Sequence, residues 1–138
     1  MGIRFYDTLT KQKKEFVPLA EGKVGIYVCG VTAYDVCHVG HARSAVVFDV
    51  ITRYFKYRGY QVTYVKNFTD VDDKIIAKAN REGTDIREVS ERYIREHNDD
   101  MDRLGVSRPS VTPRATENIQ GMIRLIGALL EKGLAYRE

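Results

Sequence analysis

Residues 23–66 read KVGIYVCGVTAYDVCHVGHARSAVVFDVITRYFKYRGYQVTYVK, and their patterning decides the fold. Lys23 to Cys29 is predicted as a strand, with Val24, Ile26 and Val28 pointing one way and Tyr27 the other. Apolar residues on both sides mark a buried, parallel strand. Gly30 to Gly40 reads as a loop. From His41 to Tyr57 the pattern turns helical, with Ala42, Val46, Val50, Ile51, Tyr54 and Phe55 on one face and Gly59 as a stop. Gln61 to Lys66 is β-branched and aromatic, which predicts a second strand. Strand, loop, helix and strand make one βαβ unit with a right-handed crossover. The expected class is α/β, a parallel sheet flanked by helices.

On the amino-terminal side, Ile3 to Tyr6 and Lys14 to Leu19 read as short strands around the polar turn Asp7 to Lys13. Residues 1–20 are thus expected to form a hairpin-like extension, and residues 21–138 the βαβ core with its helices. On the other side, the acidic stretch Thr69 to Asp73 suits a helix N-terminus. A helix Val71 to Arg81 should follow, ended by Gly83. Thr84 can cap the next helix, which carries Ile86, Val89, Tyr93, His97 and Met101 on one face and ends at Gly105. Ser107 to Arg114 holds two of the three prolines and reads as a connection. Ile119, Met122, Ile123, Ile126, Leu129 and Leu130 follow a helical period up to Gly133, and Leu134 to Tyr136 opens what reads as another strand.

Composition bounds what such a chain can do. Its 138 residues leave room for one domain. A hydrophobic content of 43% argues against disorder. Lys and Arg number 22 against 19 Asp and Glu, a net charge of +3. That excess suits an anionic ligand and excludes a histone-like coating of nucleic acid. Cys29 and Cys37 are too few for a disulfide framework. The opening MGIRFYDTLTKQKK has no apolar core like that of a signal peptide. No apolar run approaches the roughly 18 to 20 residues of a membrane span. A soluble, cytoplasmic protein is the expectation.

The chemistry concentrates in CGVTAYDVCHVGHARS, residues 29–44. His38 and His41 flank Gly40 where strand gives way to helix. A helix N-terminus offers unpaired N–H groups and the positive end of a dipole, which suit phosphate. Gly40 lets a flat ligand approach the backbone, because no Cβ stands in the way. The imidazoles add donors that can strengthen as charge builds on phosphorus. Strand end, loop and helix start is also where open α/β sheets place ligands. With 3 His and 11 Gly in the chain, a chance His-x-Gly-His is worth roughly 0.005 occurrences. These residues point to nucleotide or phosphate binding; the plainer reading is a polar loop with a capping histidine.

Five segments carry a resemblance to a known family. FYDTLTKQKKEF (5–16), YVCGVTAYDVCHVGHAR (27–43), NFTDVDDKII (67–76), RPSVTPRATENI (108–119) and EKGLAY (131–136) are collinear with the amino-terminal part of the cysteine–tRNA ligases, a family of class I aminoacyl-tRNA synthetases. The HVGH segment resembles their HIGH-type signature, with Val39 replacing the usual Ile. The resemblance implies a Rossmann-like fold, here incomplete, that uses ATP with Mg2+ to activate cysteine and transfers it to tRNA. His38 and His41 match the signature histidines that stabilise the transferring phosphate region. His38, Gly40 and His41 together match the ATP-binding turn. Cys29 matches one ligand of a Zn2+ that binds the substrate thiolate. Gly30 and Thr32 match a loop lining the cysteine site, Thr69 a position near the substrate side chain, and Asp70 a candidate for the ammonium group. The family's other three zinc ligands, its KMSKS signature and its tRNA-binding domains have no counterpart in this sequence.

Other readings of the same residues stay open here. Thr69 and Asp70 can merely cap the next helix. Cys29, Cys37, His38 and His41 do not converge as a local zinc tetrahedron, since Cys37 and His38 are adjacent. Cys37 reads as a small buried residue and His97 as a core histidine. Lys11, Lys13 and Lys14 read as a solvated turn, Arg87, Arg92 and Arg95 as a solvent face, and Tyr54, Tyr57 and Tyr60 as core and rim. A ligase joining cysteine to an amino-sugar, or a non-catalytic binding module, would share this half of the site. An incomplete sheet should also expose an apolar edge or face, favouring a second copy or the missing part of the catalytic domain as partner.

Overall fold

The computed structural model describes residues 2–138. Its elements are β1 (Arg4–Asp7), β2 (Gln12–Glu15), β3 (Lys23–Thr32), α1 (Val39–Tyr57), β4 (Gln61–Thr69), α2 (Asp73–Glu82), α3 (Ile86–Arg103), a 3-10 turn (Thr116–Asn118) and α4 (Ile119–Glu131). β1 and β2 pair antiparallel from Arg4↔Glu15 to Asp7↔Gln12, the expected hairpin. The second strand ends at Glu15, short of Leu19, because the pairing runs out there and Val17 and Leu19 are left in solvent. The hairpin is held by rings. Phe5 and Phe16 lie against the buried Phe55 of α1 at centroid distances of 5.8 and 4.9 Å.

β3 and β4 pair in parallel, confirming the βαβ unit. Both are longer than the sequence suggested. β3 runs on to Thr32, so Gly30 lies inside the strand and the loop shrinks to residues 33–38. The register steps from Val28↔Lys66 to Val31↔Phe68, so Cys29 and Gly30 together face Asn67 in a β-bulge.

The expected connection at 107–114 also has a structure. Lys66 N–H donates to the Val111 carbonyl and Phe68 N–H to the Pro113 carbonyl, while Val111 and Ala115 N–H groups donate back to Tyr64 and Phe68. This segment lies parallel to β4. Its prolines lack donors, which breaks it into bridges rather than a continuous strand.

α1 and α3 lie on the same side of the sheet. Val24 and Val28 of β3 and Tyr64, Lys66 and Phe68 of β4 are buried beneath them. Ala33, Phe68 and Ile94 form one packed cluster; Ile75, Ala79 and Val89 join α2 to α3 in another. The buried side of α1 is Ala45, Asp49, Thr52 and Phe55; of the expected stripe only Phe55 is buried, while Val46, Val50 and Tyr54 are exposed. Asp49 explains the rotation. Its carboxylate accepts from Ser107 N–H at 3.0 Å and from Arg53 at 2.7 Å, and Arg53 reaches on to the Gly105 carbonyl. Burial pulls the Asp49 carboxyl up, but these donors outweigh it and hold it below the usual range.

Three further expectations change. The cap of α2 is Asp72 and that of α3 is Asp85, so neither Thr69, Asp70 nor Thr84 serves as a cap. β3 is not buried on both faces: Tyr27, on the far side, is 66% exposed. Leu134 to Tyr136 is irregular and exposed rather than a strand, since no neighbouring strand pairs with it among the described residues. α4 forms as expected, yet none of its residues is buried.

Candidate nucleotide and amino-acid site

The HVGH turn is a helix start that caps itself. His38 is the N-cap of α1, and its Nδ1 accepts the Gly40 N–H at 3.0 Å. The His38 N–H in turn donates to Nδ1 of His41 at 3.3 Å, completing a capping box built from two imidazoles. The rings stack, with centroids 3.9 Å apart. Each Nδ1 therefore accepts, which leaves the ring proton on Nε2 of both histidines. Burial first, then the neighbouring His38 and Lys66, push the His41 imidazole below its ordinary value, so it stays neutral in ordinary buffer. The turn thus holds the capping histidine of the plainer sequence reading, in place of a bare helix N-terminus. The Gly40 amide is occupied, and the free donors are two Nε2–H groups side by side. A Cβ on Gly40 would lie 2.8 Å from the His38 ring, so the ring occupies space that any other residue would contest.

A second group of expected residues gathers on the open face of the sheet. Thr32 and Thr69 are paired neighbours at the carboxyl ends of β3 and β4. Both are half-buried, and Ala33 N–H donates to the Thr69 carbonyl at 3.0 Å. Below them lies the bulge. The Asn67 Oδ1 accepts from Gly30 N–H at 2.8 Å and from the Tyr27 hydroxyl at 3.1 Å. A Cβ on Gly30 would stand 1.5 Å from the Asn67 carbonyl oxygen, so only glycine fits. Cys29, the other bulge residue, is exposed. Cys29, Gly30, Thr32 and Thr69 therefore share one region, at the strand ends that α1 enters.

Asp70 does not join them. One residue beyond Thr69, it turns to the covered face, is 5% exposed, and accepts from Thr116 N–H at 3.0 Å and from the Thr116 hydroxyl at 2.5 Å. Both carboxylate oxygens are used, so Asp70 ties β4 to the 3-10 turn rather than presenting itself to a ligand. Cys37 and His97 lie close together on that covered side. Cys37 Sγ is 3.0 Å from His97 Nδ1, and burial pushes the thiol up and the imidazole down to about 4. His97 is the core histidine the sequence suggested; it packs edge-on against Phe68.

Cys29 is one zinc-type donor without companions. Among the described residues no group of three or more His, Cys, Asp or Glu side chains converges as a metal site. Sequence reasoning missed Asn67 and Tyr27. A glycine inside a strand signals a bulge, but Gly30 reads in the sequence as the start of a loop, so the signal went unused.

A parallel βαβ unit flanked by helices, with paired histidines where its crossover helix opens, is the fold class of a class I synthetase catalytic domain. The profile of the class I (C) tRNA synthetase catalytic domain matches residues 15–138, and the chain belongs to that family. It is 60% identical over 137 residues to the cysteine–tRNA ligase of Syntrophobacter fumaroxidans, covering 99% of this chain and 28% of that protein. The cysteine–tRNA ligases of Pelobacter propionicus and Thermodesulfovibrio yellowstonii are 60% and 57% identical over 136 and 134 residues, again over 28% of their length. The chain thus spans little more than a quarter of these curated relatives. No helix among the described residues is long and apolar enough to cross a membrane.

Proposed function

We propose that this chain supplies the nucleotide-binding half of an enzyme that activates cysteine with ATP and passes the cysteinyl group to tRNA, tRNA(Cys) in such an enzyme. The observation that carries the reading is the self-capped HVGH turn, with two Nε2–H donors at the positive end of α1. His38 and His41 are the catalytic pair. Each donates to an oxygen of the phosphate that cysteine's carboxylate attacks, and the bonds tighten as that phosphorus gains a fifth oxygen. Gly40 keeps the turn close enough to the ligand for both rings to reach it. Pyrophosphate leaves from the opposite side of the phosphorus, and this chain offers it no phosphate-binding lysine signature.

Thr32 and Thr69 line the place where cysteine meets the sheet, with the Gly30 bulge setting their register. Cys29 is offered as one thiolate donor to a zinc whose other donors these residues do not include. Magnesium would travel with the ATP as its counter-ion. The cytoplasm is the setting in which ATP, cysteine and tRNA meet. The exposed stripe of α4 and the open face of the sheet are surfaces where a partner segment, or a second copy, would pack. The reading of a ligase for an amino-sugar acceptor shares every one of these residues; the acceptor distinguishes the two.

The test is cysteine-dependent ATP–pyrophosphate exchange by the 138 residues, with and without the remaining part of a relative's catalytic domain supplied in trans. Exchange is expected only in the mixture, and to fall about a hundredfold or more in His41→Ala. A mixture that stays inactive although both parts are folded and associated would overturn the proposal. Transfer to an amino-sugar and not to tRNA would select the alternative.

A further inference from the structure

The entry to α1 has one polar tie to the rest of the fold. From Val36 to Ala42 the hydrogen bonds among the described residues are local, except the one between Cys37 and His97. There Cys37 Sγ lies 3.0 Å from His97 Nδ1. Beside that bond the turn and the end of α3 border an open groove of about 290 Å³, lined by Cys37, His38, Ala42, Asp100, Arg103 and Leu104 among others. His97 is a firm anchor for such a tie. It is 5% exposed, belongs to the buried side of α3 and packs edge-on against Phe68 of β4 at 5.5 Å. Burial keeps the half-buried Cys37 thiol protonated and the imidazole neutral, so the two meet as a neutral hydrogen bond and not as an ion pair.

The position of this bond gives it a use. The residue after Cys37 is His38, the N-cap whose ring accepts the Gly40 N–H and whose own N–H donates to the His41 ring. The backbone therefore enters the capping box directly from the anchored thiol. Two Nε2–H donors serve one phosphate only while both rings keep their direction. A small displacement of such donors costs more in the transition state, where their bonds tighten, than in the bound ground state.

We propose that His97 is a positioning residue for the reaction at the HVGH turn: through the Cys37 thiol it ties the entry of α1 to α3 and so aims the His38 and His41 rings. The proposal rests on the nucleotide reading of that turn. His97 acts through Cys37 and touches neither the ligand nor the reacting atoms. Its effect falls on the chemical step, and the ground-state grip on ATP changes little.

The experiment follows cysteine-dependent ATP–pyrophosphate exchange, with the remaining part of a relative's catalytic domain in trans, for Cys37→Ala, His97→Phe, the two combined, and Cys37→Ser. His97→Phe keeps the bulk of the ring, and Cys37→Ser keeps a hydrogen-bonding group. Cys37→Ala and His97→Phe are each expected to lower kcat about tenfold, with the KM for ATP within about twofold of wild type. The combined variant should be no slower than either alone, because both changes break the same bond. Cys37→Ser should recover most of the rate. Single variants as fast as wild type, losses that add in the combined variant, or a Cys37→Ser as slow as Cys37→Ala overturn the proposal and leave the nucleotide reading standing. A wild-type mixture that is folded and associated yet shows no exchange overturns both. The chain by itself supplies a second measurement. Its three histidines give three imidazoles in long-range 1H–15N spectra, and His97 is identified by its loss in His97→Phe. Cys37→Ala should move the His38 and His41 nitrogens as well as those of His97. If only His97 moves, the bond merely packs the core and the proposal falls.

Discussion

The two faces of the same pair of strands are built to different ends. On the covered face Val24, Val28, Tyr64 and Phe68 are buried against α1 and α3, and the polar residues there are held by neighbours or by none. On the open face Tyr27 stands in solvent, and Cys29, Thr32 and Thr69 line a surface nothing covers among the described residues. Packing concentrates on the first face, and the second is the one on which the proposed cysteine site would lie. The β-bulge at Cys29 and Gly30 joins them, because it changes which way the strand faces just before the site begins.

The most severe way to break this division is at the bulge. Gly30→Ala forces a Cβ into the Asn67 carbonyl and must push β3 from β4. A loss of about 3 kcal/mol or more is expected, read as a drop of roughly 10 °C in the unfolding midpoint, together with loss of any exchange activity in the mixture. A variant melting within about 2 °C of wild type would show that the close approach is not needed. Next comes Phe68→Ala, on the covered face, which removes a ring packed on Ala33, Ile94 and His97. Denaturant unfolding should report about 3 kcal/mol.

A pH titration sharpens the comparison further. The buried His97 imidazole is pushed down from 6.5 to about 4 by burial, with Lys66 adding to the effect. Above pH 6.5 neither the folded nor the unfolded chain protonates it, and its contribution is complete. As pH falls from 6.5 to about 4 the unfolded chain takes up a proton that the folded one refuses, so stability declines. His41 is also lowered, chiefly by burial, and adds to the decline in the same direction. The difference between wild type and His97→Phe isolates the buried ring, and parallel curves would refute its role. Smallest is Tyr27→Phe on the open face. Losing one half-exposed hydrogen bond to Asn67 should cost about 0.5 to 1 kcal/mol, and a larger loss would mean that the open face bears more load than its exposure suggests.

Much of this was legible in residues 23–66. The alternation of β3 and the switch to helical period announce the βαβ unit, and His-Val-Gly-His falls where its context requires. What pattern alone could not resolve is decided by contacts distant in sequence. The inward turn of Asp49 depends on Ser107, fifty-eight positions away. Asp70 left the candidate site because Thr116 takes both its oxygens. The strand-like pairing of 110–115 was hidden by prolines, which signal a break in donors but not the acceptors that remain. Apolar periodicity also misled at α1. Its stripe of Val46, Val50 and Tyr54 is real, yet exposed, since period reports amphipathy and not which neighbour is present.

One consequence of the imidazole capping box concerns time rather than shape. The amide of Gly40 is held by the His38 ring, and by no backbone carbonyl. Any ligand that draws that ring outward frees the amide, and any ligand that fixes the ring secures it. The exchange rate of a single hydrogen therefore follows the occupancy of the turn. The start of α1 thus carries a clock readable by deuterium exchange.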